Sequence, residues 1–134
     1  MKAVEIKKTG GPEVLELKDI TLGKPGPNEV TIEQKAIGLN YIDTYHRSGL
    51  YPLKLPSGLG LEGAGIITDI GKNVKEFKVG DKISYAGIPL GSYSSHRNYP
   101  ILKSFTFWPI SVITPAPSKP IPIGSFSGYK PDLW

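Results

Sequence analysis

Cysteine is absent from this 134-residue chain, and histidine occurs only twice, at His46 and His96. The absence of cysteine excludes disulfide bonds, thiolate zinc ligands and a cysteine nucleophile. A metal site built from two histidines would need both of them at once. No apolar run approaches the roughly 18 residues that a membrane-spanning helix needs, so no membrane span is predicted.

Concentrated charge of either sign is also scarce. The formal net charge is +4, and the lysines are scattered, with Lys7-Lys8 as the only basic pair. Proteins that bind nucleic acid usually cluster their basic residues, so this surplus indicates a solvated surface and no nucleic-acid partner. The amino-terminal sequence MKAVEIKKTGG has charges where a signal peptide needs an apolar centre, so cytoplasmic localisation is expected.

The hydrophobic pattern of residues 1–99 predicts a mainly β domain. Alternating or β-branched segments separated by Gly/Pro turns are typical of short strands, and many such strands with little helix indicate a partly open β-barrel. A short helix is predicted over Tyr41–Ser48, with Asn40 or Asp43 as N-cap and Gly49 as its end. The predicted strands are Lys2–Lys7, Val14–Ile20, Val30–Ala36, Gly63–Ile70, Lys82–Ala86 and Gly91–Arg97.

The composition changes near Tyr99. Residues 100–134 contain seven of the 13 prolines, and the run PAPSKPIPI cannot join a central sheet because proline lacks a backbone donor. We therefore divide the chain into a domain at 1–99 and an irregular or disordered tail at 100–134. The tail is either unselected sequence that follows a disrupted reading frame, which we favour, or a divergent extension.

Three segments carry a resemblance: KAIGLNYIDTYHRSGLYP, LPSGLGLEGAGIITDIG and VKEFKVGDKISY. They resemble the amino-terminal GroES-like domain of NADPH:quinone oxidoreductases, the zeta-crystallin-like, zinc-free branch of the medium-chain dehydrogenase/reductase superfamily. The resemblance implies a GroES-like barrel, NADP(H) as cofactor, and hydride transfer to a quinone or an α,β-unsaturated carbonyl compound. It ends before the nucleotide-binding (Rossmann) half of such an enzyme.

Two features of the resembling segments bear on cofactors. Zinc-dependent relatives have a cysteine where Asn40 stands and a histidine where Leu61 precedes Glu62, so no zinc site is expected. The glycines Gly58, Gly60 and Gly63 match the spacing G-x-G-x-x-G. A dinucleotide fingerprint should follow a strand and open a helix, whereas loop and a β-branched run flank these glycines, so we interpret them as barrel turns.

The resemblance places Asn40, Tyr41, Ile42, Asp43 and Tyr45 beside the nicotinamide end of the cofactor. Asn40 would hydrogen-bond the cofactor or the substrate, because an amide offers a donor and an acceptor without charge. The alternative is structural: Asn40 caps the helix, and Tyr45 packs on the barrel.

Tyr51, in the string SGLYP, is the second catalytic candidate besides Asn40. A phenol at this place could donate to a quinone oxygen as charge develops, or it could simply pack beside Pro52. Glu62 is interpreted as a structural carboxylate, with Arg47 as a possible partner, and less as a general acid or base. No catalytic role is assigned to His46 or His96.

Three functions remain open from the sequence. The favoured one is a truncated quinone oxidoreductase that is inactive alone because the cofactor domain is missing. The second is the substrate-side half of a split oxidoreductase, complemented by a separate chain that carries the cofactor domain. The third is a non-catalytic binding or interaction module.

Overall fold

The computed structural model describes residues 1–101 and 112–115. These residues form eight strands, one α-helix and one short 3-10 helix, so the prediction of a mainly β fold is confirmed. In chain order the elements are β1 (Lys2–Ile6), the 3-10 helix (Pro12–Val14), β2 (Glu16–Asp19), β3 (Glu29–Ile37), α1 (Tyr41–Ser48), β4 (Ser57–Gly58), β5 (Glu62–Ile70), β6 (Lys82–Ala86), β7 (His96–Pro100) and β8 (Val112–Pro115).

The strands form two open sheets. One sheet has the order β2-β1-β4, and the other has the order β7-β3-β5-β6-β8. All the pairs among these strands are antiparallel, and an isolated bridge joins Ala3 of β1 to Ser94, two residues before β7. The strands of the described residues therefore form an open arrangement, as the sequence pattern predicted.

The core lies against the five-stranded sheet. Alternate residues of β3, Val30 and Ile32, are fully buried, as period-2 patterning requires. A smaller core lies against the three-stranded sheet. The main core comprises Val30, Ile32, Ile67, Val74, Ile83, Tyr85 and Tyr99, and the smaller one comprises Ile6, Val14 and Leu59.

Two predicted strands begin two or more residues later in the structure than the sequence pattern indicated, whereas the first residues of the other four agree to within one residue. The segment predicted from Val14 begins with the 3-10 helix instead, because a proline stands at its first position and the Leu15 N–H bonds to Pro12. The segment predicted from Gly91 pairs as a regular strand only from His96. Gly91 has a φ of 122° and turns the chain there, a conformation that glycine adopts without strain.

Four residues of the segment that was expected to be irregular form a strand. β8 pairs with β6 in a register from Ala86↔Val112 to Ile83↔Pro115. Valine, isoleucine and threonine suit a strand, and among the described strands β8 is the last in the order of its sheet, an edge position where a proline is tolerated. Residues 102–111 and 116–134 of the expected tail lie outside the described residues.

The helix prediction is confirmed. Asn40 occupies the N-cap of α1 with extended backbone (φ −125°, ψ 154°), and Gly49 ends it in the left-handed region at φ 89°. Asp43, in the first turn, suits the positive end of the helix dipole. No helix within residues 1–101 and 112–115 is long and apolar enough to cross a membrane.

Candidate functional site

Asn40 links the amino terminus of α1 to the start of β5. Its side-chain nitrogen Nδ2 donates a hydrogen bond to Glu62 Oε1 at 2.9 Å. The Glu62 side chain lies across Gly38, where a Cβ would overlap its carboxylate. A carboxylate can only accept hydrogen bonds, so Glu62 holds the nitrogen of the Asn40 amide towards itself. The Asn40 side chain also forms a capping box with the backbone N–H of Asp43.

Asp43 holds the backbone of Asn40 from inside the fold. Asp43 is 3% exposed, and its Oδ2 accepts the Asn40 N–H at 2.9 Å and the Tyr93 hydroxyl at 2.7 Å. Its other oxygen, Oδ1, is buried without a hydrogen-bond partner among the described residues. Asn40, Asp43, Glu62 and Tyr93 thus form one hydrogen-bonded group, which we call the Asn40 network.

The pKa of the Tyr93 phenol is raised in the Asn40 network. Burial raises its pKa above the usual value of 10.0, and the hydrogen bond to Asp43 and the negative charges of Asp43 and Glu62 raise it further. The folded state therefore favours the neutral phenol, which can donate to Asp43. Tyr93 was not among the candidates from the sequence.

The substitution Asp43→Asn is expected to lower the pKa of Tyr93, because it removes one negative charge and replaces the carboxylate acceptor with a weaker one. Because folding raises the pKa, the phenol's contribution to stability is complete below about pH 10 and is lost as the pH rises through the folded-state pKa. In Asp43→Asn the phenol should ionise at a lower pH, so its contribution to stability should be lost at a lower pH than in the wild type. A pH titration followed by 13C NMR of the tyrosine Cζ, assigned with Tyr93→Phe, tests this. An unchanged Tyr93 titration in Asp43→Asn would contradict it.

Tyr45 and Tyr51 meet at the other end of α1. Their rings pack edge to face with centroids 5.5 Å apart, and His46 packs on Tyr51 at 5.8 Å. The Tyr51 N–H bonds to the Tyr45 carbonyl oxygen. Both tyrosines keep part of their surface in solvent, at 37% and 46% exposed. Two phenol groups therefore lie together on an accessible face.

Further apolar side chains of this region are exposed. Leu39 and Tyr41 are each 83% exposed, and Leu50 is 65% exposed. Ile42, another cofactor-side candidate, is only partly exposed. We call Leu39, Tyr41, Tyr45, Leu50 and Tyr51 the α1 face. Several exposed apolar side chains on and beside one short helix favour a surface that binds a ligand or another domain.

A cleft of about 480 Å³ reaches the Asn40 network through Glu62. Small residues of three adjacent strands leave this space open, and Tyr85 forms part of its wall. The lining residues are Ala36, Ile37, Gly38, Glu62, Gly63, Ala64, Ser84, Tyr85 and Ala86.

Arg97 contacts Tyr85 and supports its position. The buried guanidinium lies beside the packed rings of Tyr85 and Tyr99, 5.0 and 4.8 Å from their centroids, which are 4.4 Å apart, and cation–π attraction stabilises such a contact. It also donates to Ser92 Oγ at 2.9 Å and to the Pro89 carbonyl at 2.8 Å. The Tyr85 hydroxyl donates to the same Ser92 oxygen at 3.0 Å. The wall of the cleft is therefore rigidly supported.

Comparison with known proteins gives this geometry a context. The sequence matches the family model of the alcohol dehydrogenase GroES-like domain over residues 26–124, which is more than half of the chain. The chain belongs to the alcohol dehydrogenase GroES-like domain family. The matched range extends past Tyr99 into the segment 100–134.

Several of the similar proteins are quinone oxidoreductases. The chain is 56% identical over 94 residues to a quinone oxidoreductase of Pseudomonas aeruginosa, covering 69% of this chain and 29% of that protein. The structure of Escherichia coli quinone oxidoreductase complexed with NADPH has a TM-score of 0.72 and 52% identity, covering 73% of this chain and 30% of that chain. A mycobacterial protein solved with NADPH has a TM-score of 0.76 and 34% identity, covering 90% of this chain and 35% of that chain.

The 94 matched residues span about 29% of the Pseudomonas aeruginosa enzyme's length. The similarity therefore concerns one domain of those enzymes. The expected resemblance to the GroES-like domain of quinone oxidoreductases is confirmed.

The structure brings the predicted site residues into two groups. Asn40, Asp43 and Glu62 are directly connected, and Tyr45 and Tyr51 pack together. Asn40 does stand at the N-cap, as the structural alternative held, and its side chain takes part in a capping box with Asp43 while Nδ2 donates to Glu62. The partner suggested for Glu62 lies elsewhere: Arg47 Nε donates to the Gly10 carbonyl oxygen at 3.3 Å.

Proposed function

We propose that these 134 residues form the substrate side of an NADPH-dependent quinone reductase. In this reaction a hydride passes from NADPH to a quinone or an α,β-unsaturated carbonyl compound. The observation that carries the proposal is the Asn40 network, which holds a neutral amide in one orientation at the end of α1. The similarity to quinone oxidoreductases, including structures solved with NADPH, supports the same reaction.

The α1 face fits the nicotinamide end of such a cofactor. Tyr41 and Tyr45 offer aromatic surface, and Asn40 offers a fixed amide beside them. When bound, the nicotinamide supplies the hydride chemistry. The protein's own residues orient the ring and exclude water, with Asn40, Tyr41, Ile42, Asp43 and Tyr45 as the cofactor-side set.

Tyr51 is the proposed hydrogen-bond donor to the substrate oxygen. A quinone oxygen gains negative charge as the hydride arrives, and a phenol hydroxyl within hydrogen-bond reach stabilises that charge. Tyr45, packed edge to face on Tyr51, limits the directions that the Tyr51 ring can take. Catalysis in this scheme depends on Tyr51 for polarisation and on Asn40 for orientation.

A zinc ion does not fit the same place. The residues that would hold it are Asn40 and Leu61, and an alkyl side chain cannot ligate a metal. The Asn40 amide nitrogen is already bonded to Glu62. No group of three or more His, Asp or Glu side chains within residues 1–101 and 112–115 could hold a metal ion. We therefore derive no step through zinc.

Hydride transfer should also require a nucleotide-binding domain outside these 134 residues. The chain spans about 30% of the Escherichia coli enzyme that was solved with NADPH. The exposed α1 face offers apolar area for such a domain to cover. We infer that the 134 residues alone bind NADPH very weakly and do not turn over.

Calorimetric titration with NADPH tests this proposal. We expect no heat of binding from the 134 residues alone. Binding and NADPH oxidation with a quinone are expected after the nucleotide-binding domain of Escherichia coli quinone oxidoreductase is added. The test variant is Leu39→Asp on the α1 face, and its matched control is Leu17→Asp on β2, since both leucines are exposed.

Leu39→Asp is expected to weaken NADPH binding by the mixture about 10-fold, because it places a charge where an apolar contact between the domains is proposed. Leu17→Asp should leave NADPH binding unchanged. Turnover by the 134 residues alone would contradict the proposal that the reaction needs a separate nucleotide-binding domain. Equal effects of both variants would contradict the proposal that this domain covers the α1 face. If the mixture neither binds nor oxidises NADPH, the result would instead favour a non-catalytic binding module, for which the exposed α1 face is the supporting observation.

A further inference from the structure

Tyr93 enters the Asn40 network from a distant part of the chain. Its N–H bonds to the Leu59 carbonyl oxygen at 3.0 Å, and its carbonyl oxygen accepts the Val4 N–H at 2.8 Å. The ring packs against Gly60, where a Cβ would lie 2.5 Å from Tyr93 Cδ1. Gly60 has a φ of 87°, so its turn and the absence of a side chain both make room for the ring. Tyr93 is thus fixed at both its backbone and its side chain.

The fixed hydroxyl then acts on Asn40 through Asp43. Tyr93 donates to Asp43 Oδ2 at 2.7 Å, and the same oxygen accepts the Asn40 N–H at 2.9 Å. An oxygen that accepts two hydrogen bonds at these lengths is held in place by both donors. Asp43 therefore transmits the position of the Tyr93 hydroxyl to the backbone of Asn40.

A second arm fixes the Asn40 side chain. Glu62 Oε1 accepts from Asn40 Nδ2, so the amide cannot turn its oxygen towards Glu62 without bringing two acceptors together. Asp43 holds the backbone of Asn40, and Glu62 holds its side chain. Together they fix the amide, and Asn40 Oδ1, the acceptor of the capping box with the Asp43 N–H, keeps a second lone pair for another donor.

We propose that Tyr93 is a positioning residue for Asn40, and that the positioned Asn40 accepts a hydrogen bond from a donor group of the ligand. The donor would be a hydroxyl or N–H group, such as a sugar hydroxyl or a carboxamide. This inference rests on the proposed function for the ligand, but its first half concerns the 134 residues alone. Tyr93 itself touches neither cofactor nor substrate in this scheme.

Hydrogen exchange in the 134 residues tests the positioning directly. Tyr93→Phe removes the hydroxyl that holds Asp43, so exchange of the Asn40 backbone N–H is expected to become about 10-fold faster. The matched control is Tyr99→Phe. Tyr99 is also buried and its hydroxyl also donates one bond, at 3.2 Å to the Ile88 carbonyl oxygen, but it lies outside the Asn40 network. Equal Asn40 exchange rates in Tyr93→Phe and Tyr99→Phe would overturn the inference.

Kinetics of the complemented enzyme separate positioning from general stability. With the nucleotide-binding domain added, Tyr93→Phe is expected to raise KM for NADPH about 10-fold with little change in kcat, because an oriented binding contact is lost. Tyr99→Phe keeps the ring that contacts Arg97 and removes only the hydroxyl, so it should change neither parameter. Active wild-type protein with equal kinetics in both variants would overturn the inference. Inactive wild-type protein would refute the proposed function, and the exchange rates would then still decide whether Tyr93 positions Asn40.

Discussion

Replacing Gly65 by alanine is expected to lower the free energy of unfolding by about 3 kcal/mol. A Cβ at Gly65 would overlap the carbonyl oxygen of Glu33 on the neighbouring strand β3 and lie 2.7 Å from Ile32 Cγ2. The first obstacle is backbone, so no side-chain rotation can relieve it. The two strands would have to separate where β3 and β5 already change register, between Gln34 and Ala36.

The measurement is urea unfolding of Gly65→Ala beside Gly23→Ala. A Cβ at Gly23 would meet nothing within 4 Å, so this control should stay within about 0.5 kcal/mol of wild type. Equal midpoints for the two variants would mean that β3 and β5 do not approach as closely as the structure shows. A loss in Gly65→Ala alone would confirm the packing beside Gln34.

Tyr51→Phe is expected to lower kcat of the complemented enzyme about 100-fold. The hydroxyl is proposed to donate to the substrate oxygen as negative charge develops, and removal of one such donor typically costs 10²–10³ in kcat. Phenylalanine keeps the ring that packs on Tyr45 and His46. The packing of this end of α1 should therefore survive, which isolates the hydroxyl.

Steady-state kinetics with NADPH and a quinone, on the chain mixed with a nucleotide-binding domain, provide the measurement. Tyr99→Phe is the control, because it removes a tyrosine hydroxyl from the core and not from the α1 face. A higher KM with unchanged kcat in Tyr51→Phe would show that Tyr51 only binds the substrate. Unchanged kinetics would remove Tyr51 from the mechanism.

Local sequence features predicted much of this fold. The alternation in Val30–Ala36 indicated a strand, and Val30 and Ile32 are indeed buried on one face of β3. Asn40 and Gly49 marked the two ends of α1, because their backbone conformations are those of an N-cap and a left-handed helix end. These features depend on neighbours within a few residues, so a single sequence contains them.

The strand β8 was missed for a reason that is also physical. The prolines of residues 100–134 argue against a strand inside a sheet, but Pro115 lies at the outer edge, next to Ile83 of β6. Whether a segment lies at an edge or in the centre depends on the order of strands in the sheet. Local propensity contains no information about that order.

For the candidate site, the sequence by itself determined the residue types: a neutral amide at position 40, no cysteine, and tyrosines at 41, 45 and 51. The tertiary structure decided which of them act together. Tyr93 lies 50 residues from Asp43 along the chain, and Glu62 lies 22 residues from Asn40. Such pairs meet only after β1, β5 and α1 have packed, because hydrogen bonds need contact distances that sequence spacing does not encode.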